Sequence, residues 1–294
     1  MRPARSLVVV ADDFGIGPDT SRGILDLAAE GRLAATVLLV TSPYAESAVA
    51  AWERAGRSLE LGWHPCLTLD QPILPPGRVP SLVRPDGRFW SLGAFLRRAC
   101  LGQIEAVEVA AELRAQCDRF RELVGHPPTV VNSHHHVAVF QPVRRELFAL
   151  LAGLLHRPFV RRVVEPVHTI TRVPGARVKR AVLARLGRRA ARQGDQAGFL
   201  GCEVLAGVTT PRCVADERFF ARWLAAAPGD SVELMCHPGY HDEALAGRDG
   251  GSAAGRVHEL HLLRSADFAA AVRRAGFRLT APAELSRAGR LAAA

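Results

Sequence analysis

Two hydrophobic rhythms alternate along this chain. Short, largely apolar runs read as strands buried on both faces: residues 7–11, 36–41, 59–63, 129–132, 160–164 and 231–236, with a last short one at 277–280. Between them apolar residues recur at helical spacing, over 19–30, 44–55, 92–101, 104–124, 142–155, 177–192, 212–226 and 256–275. In the first of these, Ile24, Leu25, Leu27 and Ala28 form the apolar face and Asp19 suits the N-cap. The helix over 177–192 carries a dense run of arginine, and places Val178, Val182, Leu183 and Leu186 on its apolar side. Two stretches break the pattern. Residues 65–91 contain Pro72, Pro75, Pro76, Pro80 and Pro85 and read as a long loop, a type that is usually functional. Residues 198–211 fit neither rhythm. Strand followed by helix, some seven times over, predicts an α/β fold with a parallel sheet, closed as an irregular TIM-like (β/α) barrel. The chain of 294 residues is read as one such domain.

Composition narrows the class. Apolar residues make up 48% of the chain and charged residues 23%, which supports a sizeable core and excludes a disordered or fibrous protein. No apolar run is long enough to span a bilayer, and the run after Arg2 and Arg5 stops after five residues at Asp12, too short for a signal peptide. The expectation is therefore a cytoplasmic enzyme without a membrane span. The six cysteines (Cys66, Cys100, Cys117, Cys202, Cys213 and Cys236) form no C-x-x-C pair and read as free thiols. The net charge of +9 comes almost wholly from arginine, Lys179 being the single lysine. No nucleic-acid motif accompanies it, so no nucleic-acid partner is expected.

The candidate chemistry sits just after the predicted strands. Asp12 and Asp13 follow the first, His64 the third, His134, His135 and His136 the fourth, and His237 a late one. In parallel α/β folds that edge is where sites are built, because distant positions converge there on a rigid frame. At a strand end the chain turns, so both carboxylates can reach one pocket, one to hold a metal and the other to take a proton from water. Strand alternation would send His134 and His136 one way and His135 the other. An Asp with two His is a mixed oxygen and nitrogen set that suits a divalent metal, zinc or another transition ion more naturally than magnesium. Such a metal acidifies water and polarises a carbonyl, while His237 is placed to act as an acid near neutral pH. This describes amide or ester hydrolysis. A hydrolase acting on phosphate or a cyclic amide, or a non-catalytic sugar-binding barrel, are the alternatives.

These motifs together resemble the YdjC-like carbohydrate deacetylases, the family that includes chitooligosaccharide deacetylase. The matching pieces are Ala11-Asp12-Asp13-Phe14-Gly15, Gly62-Trp63-His64 with Leu67-Thr68, Asn132-Ser133-His134-His135-His136-Val137, and Glu233-Leu234-Met235-Cys236-His237-Pro238. They stand in the family's order and span most of the chain. The resemblance implies a barrel of polysaccharide-deacetylase type that removes an N-acetyl group from an N-acetylglucosamine-type sugar. It implies a metal, magnesium or zinc among the candidates, held by Asp13, His64 and His134, with Asp12 as general base and His237 as general acid. Arg161, His136 and Trp90 are the expected substrate contacts, Trp90 as a sugar platform beside a lid formed by the loop 65–91. A homodimer is implied as well. The chain departs from the family pattern at Asn132, where an Asp is usual, and at Ala138, where a His is usual. Both changes are expected to act on partners of the metal ligands or on substrate contacts.

Overall fold

The computed structural model describes residues 4–248 and 253–293. Eight strands form one sheet: β1 (Arg5–Phe14), β2 (Ala35–Leu38), β3 (Glu60–Trp63), β4 (Val130–Val131), β5 (Phe159–Val160), β6 (Val204–Ala206), β7 (Ser231–Cys236) and β8 (Phe277–Leu279). The spatial order is β5-β4-β3-β2-β1-β7-β6, and every pairing is parallel. β1 is long enough for β8 to pair with its first residues, Arg5 to Leu7, while β2 pairs with Val10 to Phe14. The outer strands β5 and β6 then approach each other. The Val160 N–H donates to the Leu200 carbonyl and the Leu205 N–H to the Val164 carbonyl, each at 2.7–2.9 Å. These sparse bonds curl the sheet into an irregular TIM-like barrel.

Alternation along β1 explains the layers. Leu7, Val9 and Ala11 pack outward with Ile24, Leu27 and Trp52 of the surrounding helices. Val8 and Val10 face inward with Ala35, Val37, Val130 and Phe159. Asp12 continues that inward row, so the barrel interior passes from apolar to charged toward the C-terminal ends of its strands.

Several elements differ from the sequence expectation. The first helix runs over Pro18–Ala29 with Gly17 as N-cap, which puts Asp19 inside its first turn, where an acidic side chain suits the helix dipole. The predicted helix over 212–226 is two pieces, Pro211–Val214 and Phe219–Ala226, and that over 256–275 is Ala253–Arg264 and Ala266–Arg274, divided where Ser265 caps the second. The helix Arg177–Gln196 buries Arg180, Leu183, Ala184, Gly187, Ala190 and Gly194, a face of mostly small residues. Val178 and Val182, expected on that face, are exposed. The reason is close approach: a Cβ at Gly187 would collide with the Val163 carbonyl oxygen, so the helix docks through its small residues.

Residues 65–91 are pinned in place. Glu112, on the helix Ala106–Val124, accepts the Ile73 and Leu74 N–H groups, Gln116 of the same helix bonds both backbone groups of Cys66, and Glu108 accepts the Ser81 N–H. Val79, Leu82 and Phe89 enter the core.

Candidate active site

Five strand ends supply the site. β1 does so through an irregularity: Ala11 pairs with Thr36 but Phe14 with Leu38, so three steps on β1 match two on β2. The extra residue is a bulge, and Asp13 within it adopts a left-handed backbone, φ 65°. A bulge inside a continuing strand, rather than a turn at its end, brings both carboxylates to one cleft.

Asp13 lies among two imidazoles. Its Oδ1 is 3.0 Å from His134 Nδ1 and 3.3 Å from His64 Nε2, and its Oδ2 accepts from Arg256 at 2.6 Å. All four side chains are buried. Burial would raise the Asp13 carboxyl, but Arg256 and then His134 hold it well below the usual range. His64 Nδ1 lies 2.9 Å from the Asn132 carbonyl, which can only accept, so Nδ1 donates there and Nε2 is the nitrogen turned toward Asp13. One donor atom from each of Asp13, His64 and His134 falls within 4.8 Å of the others. A buried carboxylate with two imidazoles, one fixed in the ligating tautomer, fits a divalent ion of the zinc type.

Asp12 is held differently. Arg161, directly after β5, grips it with two parallel bonds, 2.6 Å to Oδ2 and 2.8 Å to Oδ1, and turns its Nε to Glu233 at 2.6 Å. Asn132 Nδ2 adds a bond to Asp12 Oδ1 at 3.2 Å. Burial works to raise the Asp12 carboxyl, but Arg161 outweighs it and holds the group at about 2. Asp12 is therefore ionised across the neutral range. Arg161, expected as a substrate contact, directs Nε, Nη1 and Nη2 to Glu233 and Asp12, and it lies behind the cleft rather than among its lining residues.

The three consecutive histidines lie in a tight turn after β4 instead of on the strand, with His135 and His136 both left-handed (φ 54° and 56°). His134 and His136 are buried and His135 exposed, as alternation predicts, though a different backbone achieves it. Burial, aided by the Arg161 charge, pushes the His136 imidazole well below its usual value, so it is neutral. His237 follows β7, and Glu259 fixes it by accepting its backbone N–H at 2.6 Å, with the carboxylate 3.9 Å from Nδ1. Burial raises Glu259, partly offset by His237.

Asp12, Asp13, His64, His134, His135, His136 and His237 line one cleft of about 440 Å³. Trp90 does not line it, and residues 65–91 touch it only through the histidine turn, where the Pro65 carbonyl accepts the His134 N–H and Thr68 Oγ1 lies 2.9 Å from His135 Nδ1. The Trp90 indole N–H donates to the Ser81 carbonyl and Arg98, on the helix Leu92–Cys100, stacks on its ring, so packing between loop and helix occupies it. A smaller cavity of about 30 Å³ behind the Asp12–Arg161 pair is lined by Asn132, His136 and Ala138. Asn132 and Ala138 thus both face this inner cavity; the Asn132 side chain bears on Asp12, while its backbone carbonyl, which any residue would supply, orients His64.

Sequence reasoning missed Lys179, Arg256 and Glu259, which line the cleft. The single lysine in an arginine-rich chain was a legible signal. Arg256 and Glu259 carried none, because charged residues at i and i+3 in a helix usually face solvent.

The sequence model of the YdjC-like protein family matches residues 6–274. A chitooligosaccharide deacetylase of Klebsiella pneumoniae is 32% identical over 282 residues, covering 94% of this chain and 97% of that protein. A carbohydrate deacetylase of Mus musculus is 32% identical over 295 residues, covering 95% and 94%. A solved structure from Enterococcus faecalis V583, assigned provisionally to cellobiose-phosphate cleavage, superimposes with a TM-score of 0.77 at 24% identity, covering 96% of this chain and 99% of that one, a likeness of fold. The chain belongs to the YdjC-like protein family.

Proposed function

We propose that this protein is a metal-dependent hydrolase that removes the N-acetyl group from an N-acetylglucosamine-type sugar, oligosaccharide or glycoconjugate. The observation that carries the reading is the division of labour between adjacent carboxylates: Asp13 meets two imidazoles, while Asp12, one residue away, is clamped by Arg161 in the same cleft. The names of the Klebsiella and mouse relatives support the substrate class.

Asp13, His64 and His134 would hold the metal, which supplies Lewis-acid polarisation of the amide carbonyl and acidifies water when bound. Asp12 takes the proton of the attacking water; the Arg161 clamp keeps it ionised and fixes its direction, at a cost in basicity. His237, steadied by Glu259, gives a proton to the sugar nitrogen as the C–N bond breaks, leaving acetate and a free amine. Neutral His136 offers a hydrogen-bonding wall to the bound amide.

The test is acetate release from a panel running from N-acetylglucosamine to short chitin oligomers and acetylated glycosides, with and without chelator. Metal-dependent release is expected. Metal retention without release from any member would transfer the reading to another metal hydrolase, and neither metal nor release would make the barrel a binding protein.

A further inference from the structure

Asp13 divides its two oxygens between different partners. Oδ1 faces the imidazoles of His64 and His134, and Oδ2 takes the Arg256 guanidinium at 2.6 Å. The Asp13 side chain is 2% exposed and that of Arg256 5%, so water screens little of what passes between them. A carboxylate buried to this degree needs compensation, and Arg256 provides it. Its anchoring is firm. Arg256 lies in the first turn of the helix Ala253–Arg264, its carbonyl accepts the Gly239 N–H at 3.2 Å, and Glu259 one turn later holds His237.

We propose that Arg256 is a resident counter-cation of the metal site: it orients Asp13 to present Oδ1 alone, and its charge opposes the incoming ion and weakens its binding. This rests on the reading that Asp13, His64 and His134 hold a metal. The usual outer partner of a ligating histidine is a carboxylate, carbonyl or water, which raises the basicity of the imidazole, whereas a ligating carboxylate takes a hydrogen-bond donor, which lowers its basicity. Arg256 is such a donor and carries a full charge. It draws charge out of Asp13 and repels a divalent ion across the carboxylate. The bound ion keeps more Lewis acidity and exchanges more readily than the same three ligands would allow alone.

The experiment is calorimetric titration of metal-stripped protein with Zn²⁺, together with melting of the stripped and loaded forms. Arg256→Met is expected to bind Zn²⁺ at least about tenfold more tightly than the unaltered protein, to melt at a lower temperature when stripped, and to recover that loss on loading. Arg256→Lys, which keeps the charge, is expected to stay within about threefold of the unaltered affinity. If Arg256→Met does not fold when stripped, Arg256→Gln, which keeps a donor but no charge, replaces it with the same tightening expected. Unchanged or weaker binding in the neutral variants, while the unaltered protein binds and His64→Ala does not, overturns the proposal and leaves the metal reading standing. Zn²⁺ binding that is absent from the unaltered protein, or indifferent to His64→Ala, overturns the metal reading and the proposal with it.

Discussion

Asp12 and Asp13 share a strand and a cleft, yet their carboxylates answer to different partners, and substitution separates them. Asp12→Asn leaves Asp13, His64 and His134 in place, so metal retention is expected to persist while kcat falls by about 10²–10⁴-fold, the usual worth of a positioned base. Asp13→Ala or His64→Ala is expected to lose metal and activity together, read by metal analysis after dialysis. Arg161→Met leaves Asp12 and Glu233 buried without their cation. Removing one partner of such a pair costs about 3–5 kcal/mol, so a clear drop in melting temperature is expected with the loss of rate. At this scale much was legible. Asp12, Asp13, His64, the histidine run and His237 could be singled out because they stand at predicted strand ends. What could not be read was which groups hold them. Arg161, Asn132 and Arg256 reach Asp12 or Asp13 across more than a hundred residues of chain, and no local pattern encodes such a meeting.

Among the elements, the loop over 65–91 and the helix Arg177–Gln196 are where expectation and structure part. The prolines did mark a long loop, but acceptors on the helix Ala106–Val124 anchor its middle at Ile73, Leu74 and Ser81, and only its start, at Pro65 and Thr68, touches the cleft's histidines. Burial pushes the Glu112 carboxyl up, only partly offset by its bonds from Gln116, Ile73 and Leu74. A raised carboxyl favours the protonated folded state, so this contribution is fully present below the unfolded value and is lost as pH rises through the folded one. The unaltered protein is therefore expected to gain more in melting temperature, on going from about pH 7 to about pH 5, than Glu112→Gln does. On the second element, Gly187→Ala pushes a methyl into the Val163 carbonyl and is expected to cost about 1–3 kcal/mol or more, measured by denaturant unfolding. Helical spacing could not foresee this face, because Val178 and Val182 are the more apolar residues while Gly187 and Ala190 are the ones that allow contact.

For the whole molecule, the alternating rhythm did disclose the parallel barrel, since all-parallel strands need crossovers and the crossovers are the helices. Its closure was not disclosed: β6 lies within a stretch that fits neither rhythm, and β5 and β6 meet through isolated bonds around Leu200 and Val164 instead of a ladder. The barrel places the ends of β1, β3, β4, β6 and β7 around one cleft, and the central claim is that this cleft binds a metal and uses it to hydrolyse an acetylated amino sugar. The most direct measurement is acetate release from short chitin oligomers by chelator-treated protein, before and after one divalent ion is restored, beside Asp12→Asn treated alike. Release is expected to return with the metal in the unaltered protein and to stay lost in Asp12→Asn. Release that survives chelation, or full activity in Asp12→Asn, would contradict it.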